Sequence, residues 1–176
     1  MKSAPARSPR GRTPSAPPAT ASAAPVRIYV LWHPDFAAGE AIAYEIYRWF
    51  RLETMEGIPV FFRSRPELGQ DQPLAVPTDC EINYVLPLAE AHMVADPVWR
   101  LYVLGLLTRP DVRMFPVALD PLAFQMPARL RGLNFIRHDV TSTPPPAVEV
   151  LLSQLTECLC RDLRGDETQT PSPRPD

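Results

Sequence analysis

The 176-residue chain has three cysteines, a single lysine and no long apolar run, and each shortage excludes something. Cys80, Cys158 and Cys160 make no CxxC pair, and Cys158 and Cys160 lie two apart on a predicted helix, pointing to different sides. Neither a disulfide framework nor a thiolate zinc site is expected, and reduced thiols in a cytoplasm fit this usage. No stretch of roughly 18 apolar residues is present, so no membrane span is expected. The amino terminus lacks the apolar segment of a secretory signal. Also missing are GxGxxG, GxxxxGK[ST], GxSxG and HExxH. Dinucleotide, P-loop and serine-hydrolase chemistry are therefore left without a motif. His33, His92 and His138 have no metal-ligand spacing, so neither a metal nor a bound cofactor is predicted.

Lys2 is the only lysine, and with Arg7, Arg10 and Arg12 it gives residues 1–25 a charge of +4. The whole chain carries −2, so the remainder carries −6. An acidic globule argues against a nucleic-acid groove as its business.

What the chain does have is proline, 23 residues of it, concentrated in part at the two ends. Residues 1–25, "MKSAPARSPRGRTPSAPPATASAAP", show no apolar periodicity, and the tail 164–176 is equally polar. Such segments cannot offset the entropy of ordering, and both are expected to be disordered. Residues 26–163 form one domain's worth of chain, enough for a core.

Within that core strands and helices alternate. "VRIYVLW" (26–32) is a continuous β-branched and aromatic run, as suits a strand buried on both faces. Asp35 is placed to cap the following helix, which Phe36 would begin; Ala38, Ile42, Ile46, Trp49 and Phe50 recur at helical period, with Glu40, Glu45, Arg48 and Arg51 outward. Gly57 breaks the chain before strand two, "IPVFF" (58–62), and a polar loop, 63–79, follows. "INYVLPL" (82–88) is strand three. A loop holding Glu90 and His92 leads to a helix over 98–107. "RMFPVAL" (113–119) is strand four, with Pro116 predicting an edge position or a bulge. "LNFIRH" (133–138) is strand five. A helix over 147–163 closes the chain with a stripe of Val150, Leu151, Leu155 and Leu159. The order predicts an α/β fold: an open, mostly parallel five-stranded sheet flanked by helices.

Ligands of such sheets bind outside the carboxyl ends of the strands. The sequence places His33 and Asp35, Arg63 and Ser64, Glu90 and His92, Asp120, and then Arg137, His138 and Asp139 there. Each also has a plainer reading, as cap, solvated loop charge or strand exit.

Three stretches carry a family resemblance. "RIYVLWHPD" is similar to the opening strand and acidic loop of bacterial Toll/interleukin receptor (TIR) domains, and "GIPVFFRS" to their second strand. "INYVLPLAEAHMVADPVWRLYVLGLL" resembles their third strand with the loop–Trp–helix segment, Trp99 matching the tryptophan. The resemblance implies a signalling module that associates with itself or with other TIR-like domains. NAD-cleaving members carry a glutamate four residues after that tryptophan, where a carboxylate orients the ribose and stabilises oxocarbenium-like charge. Here that position is Val103, and no acidic residue lies between Pro97 and Thr108. The resemblance therefore implies an interaction module without NAD cleavage. The alternative is an NAD glycohydrolase, or related nucleoside-processing enzyme, in which Glu90 reaches the cleft from its loop and NAD is the substrate. His33, Asp35, Arg63, Ser64, Glu90 and Trp99 are the cleft candidates.

Overall fold

The computed structural model describes residues 26–54, 58–63 and 73–165, the side chains of 52–54 excepted. Residues 1–25 and 166–176, expected to be disordered, lie outside the described residues, as do Gly57, Ser64 and most of the predicted 63–79 loop.

In chain order the elements are β1 (Val26–Leu31), α1 (Gly39–Arg48) with a π-helical turn (Trp49–Thr54), and β2 (Val60–Phe61). Next come β3 (Ile82–Ala89), α2 (Ala91–Ala95), α3 (Pro97–Leu106), β4 (Val112–Met114) and β5 (Val117–Ala118). A 3-10 turn (Pro121–Gln125), α4 (Ala128–Arg131), β6 (Ile136–Arg137) and α5 (Val148–Leu163) complete the chain. Every strand pair is parallel, in the order β2-β1-β3-β5-β6 with β4 also on β3. This is the predicted α/β sheet flanked by helices.

β4 and β5 are the predicted fourth strand, divided at Phe115–Pro116. The expected edge position or bulge is not found. The residue offset against β3 is the same on both sides of the break, and the Phe115 and Leu119 amides donate to the Val85 and Ala89 carbonyls. Pro116 is interior. Its carbonyl accepts from the Ile136 amide at 2.9 Å, so its missing N–H faces β6 just where that ladder begins and takes nothing from β3.

Alternation along the strands sends side chains to two apolar layers. Ile28, Val30, Trp32, Tyr84, Leu86 and Leu88 pack under α1 and α5, while Tyr29, Leu31 and Val85 pack under α2, α3 and α4. In α5 the buried stripe is Leu151, Leu152, Leu155 and Leu159; Val150, expected inside, is half exposed. Each buried leucine there contributes roughly 1.5–3 kcal/mol.

The helix after β1 begins at Gly39, not at Phe36, and Asp35 does not cap it. Phe36 instead closes a turn onto the His33 carbonyl, and the Gly39 amide donates to the Phe36 carbonyl. Gly39 is required by close approach, because a Cβ there would lie 2.5 Å from the Trp32 ring. The second and fifth strands are shorter than predicted, Val60–Phe61 and Ile136–Arg137, since only those residues meet a partner strand. No described helix is long and apolar enough to cross a membrane.

Candidate functional site at the carboxyl edge of the sheet

The strand order reverses between β1 and β3, and doubly wound sheets bind ligands outside the carboxyl ends at that point. β1 delivers His33 there and β3 delivers Glu90, so the two residues arrive at one edge although 57 positions apart in number.

His33 is almost fully buried. Its Nδ1 accepts the Asp35 amide at 3.2 Å, and its Nε2 lies 3.3 Å from Asp96 Oδ2. An amide can only donate, so Nδ1 carries the lone pair, and the proton sits on Nε2 and is donated to Asp96. Asp96 is also the N-cap of α3, where Oδ1 accepts from the Val98 amide at 2.7 Å and the Trp99 amide at 3.4 Å. Partial burial works against its charge, but the Val98 amide, the His33 imidazole and the Trp99 amide together hold its pKa below the usual carboxylate range. Trp99 is buried with its ring tilted against His33, centroids 5.4 Å apart.

Glu90 is not on an exposed loop. It is 2 % exposed and caps a short helix, α2, where the sequence predicts loop. Oε1 accepts the Met93 amide at 2.9 Å, and Oε2 accepts both the His92 amide and His92 Nδ1 at 2.7 Å. Both oxygens are thus engaged within α2. The His92 side chain is half exposed, and its ring stacks on His33 at 5.8 Å.

The other predicted residues do not join this group. Asp120 caps the 3-10 turn through Ala123 and accepts the Ala91 amide at 2.9 Å, tying β5 to α2. Asp35 presents its carboxylate to solvent, and the Arg63 carbonyl accepts the Trp32 indole N–H at 2.9 Å. Ser64 lies outside the described residues. Arg137 covers the Phe124 ring at 5.2 Å, and Asp139 closes a turn by accepting the Thr141 amide. His138 is buried, its Nδ1 has no hydrogen-bond partner, and burial pushes its pKa down. Among the described residues no three of His, Cys, Asp and Glu gather as a metal-holding group.

Val103, the residue that the resemblance sets against the glutamate of NAD-cleaving TIR domains, is fully buried against the sheet. Asp96, which is not among the residues predicted for the site, supplies a bond to His33. Its signal was the Asp-Pro pair ahead of an apolar helix, which marks an N-cap but not a tertiary partner.

An open α/β sheet of doubly wound strand order is the class these features define. No family model, no curated protein and no solved structure matches the chain.

Proposed function

We propose that this chain is a TIR-like interaction and signalling module that self-associates and does not cleave NAD. By the resemblance, its pathway is a bacterial defence or stress response. The orientation of α3 carries the reading: Val103 faces the sheet with no exposure, whereas Val98 and Leu101 are 52 % and 70 % exposed. A buried valine offers a ribose neither charge nor hydrogen bond. Glu90, the alternative carboxylate, has both oxygens occupied by α2 and His92.

The outward side of α3 instead favours a second copy of the chain. Between Pro97 and Thr108 the only charged residue is Arg100, so two copies meet little like charge. A Cβ on Gly105 would meet nothing within 4 Å, so the surface there stands open to a neighbour. An isologous pairing of two α3 helices needs such a self-compatible face.

Two measurements test the proposal separately. Sedimentation equilibrium of the full chain should show concentration-dependent association that Leu101→Glu abolishes while the fold, read by circular dichroism, is kept. A wild-type chain monomeric at high concentration would refute self-association. Incubation with NAD should release no nicotinamide, concentrated or not. Release that disappears in a folded Glu90→Gln variant would replace the proposal with a glycohydrolase reading.

A further inference from the structure

We infer that His92 is a phosphoryl-acceptor site, with Nε2 as the nucleophile and the Glu90 carboxylate as the group that prepares it. The inference goes beyond self-association and does not depend on it.

Three observations converge on His92. First, it stands immediately past β3, at the sheet edge where this topology presents its chemistry. Second, Nδ1 lies 2.7 Å from Glu90 Oε2, and that carboxylate is itself fixed by the His92 and Met93 amides. Glu90 has only acceptors to offer, so the bond places the ring proton on Nδ1 and the lone pair on Nε2. A buried carboxylate behind an imidazole fixes its tautomer and ring orientation and leaves the far nitrogen's lone pair outward. Third, accessibility separates the chain's three histidines. His33 and His138 are 5 % and 4 % exposed, whereas the His92 side chain is 51 % exposed. His33 is also unsuited on bonding grounds, as both its ring nitrogens are engaged.

With phosphoramidate as donor, the Nε2 lone pair forms the N–P bond while the P–N bond of the donor breaks. Ammonia leaves with that electron pair and takes its proton from solvent. The Nδ1–H stays on the ring, hydrogen-bonded to Glu90, and the carboxylate offsets the positive charge that the ring acquires. Glu90 stands on the Nδ1 side, away from the incoming phosphoryl group.

The test is reaction of the full chain with potassium phosphoramidate at neutral pH, followed by intact mass and nitrogen-resolved NMR. One acid-labile phosphoryl group should appear, on His92 Nε2, faster than at any histidine of the urea-unfolded chain. It should be absent in His92→Gln and several-fold slower in Glu90→Gln. Equal rates in the folded and unfolded chain, labelling of His33 or His138 at a similar rate, or an undiminished rate in a folded Glu90→Gln variant would each overturn the inference. If Glu90→Gln does not fold, the comparison of folded with unfolded wild type decides alone.

Discussion

The two ends of the sheet are both held by polar groups, but by different chemistry. At the amino end, Arg109 donates to Asp111 and to the carbonyls of Val76 and Pro77, and Asn83 donates to Asp111 at 2.8 Å and to Pro77 at 3.2 Å. Arg27 pairs with Asp79 beside them. At the carboxyl end the carboxylates of Glu90, Asp96 and Asp120 meet imidazoles and helix-end amides. A guanidinium stays charged at any relevant pH and fixes its partners in one arrangement. An imidazole is held by whichever partners its two nitrogens meet, so the carboxyl end depends on selected tautomers, with the proton on Nε2 of His33 and on Nδ1 of His92. One end is fixed by permanent charge, the other by paired imidazoles and carboxylates.

The strongest way to break this comparison is Trp99→Ala, which removes the ring that His33 leans on and opens the core under α3. It should cost about 3–5 kcal/mol in urea unfolding. A loss below about 1 kcal/mol would show that Trp99 is not part of the packing at this end. Arg109→Ala comes next. It takes the guanidinium from Asp111 and from the Val76 and Pro77 carbonyls, leaving Asp111 and Pro77 with the Asn83 donor, and a loss of about 1–3 kcal/mol is expected.

Acid sharpens the contrast. The Arg109 guanidinium holds the Asp111 carboxyl below its usual range, against the opposing effect of partial burial. A group whose folded pKa is depressed contributes its full stability above the unfolded value, about 4, and loses it as pH falls through the folded value. Unfolding at pH 7 and pH 3 should therefore show an acid loss that Asp111→Asn diminishes; an unaltered loss would remove Asp111 from the account. The smallest effect belongs to His92→Gln, a half-exposed residue, whose stability should stay within about 0.5 kcal/mol of wild type. A larger drop would mean that His92 is a structural member of α2, not a reactive group on it.

How far the carboxyl end could be read in advance differs residue by residue. His33 and Glu90 were legible as edge residues, because a strand that runs out of apolar side chains exposes its next residues at a sheet end. Their partners were not. Asp35 has the residue type of a helix cap, yet its amide serves His33, and turns closed by the Phe36 and Gly39 amides precede the helix. Glu90 looked solvated, yet the amides of a five-residue helix bury it. So short a helix has too few apolar repeats to show a period.

The sequence by itself determined the alternation of strands and helices, the parallel sheet and most of its apolar layers. Those follow from local periodicity and from the side-chain direction that each backbone type imposes. It also determined that the α3 position of interest is a valine. The tertiary structure alone decided that Pro116 sits inside the sheet, that Val150 faces out while Leu152 faces in, and that His33 donates to Asp96 while His92 stacks upon it. Each of these rests on a contact between segments distant in the chain, and such a contact leaves no periodic trace in either segment.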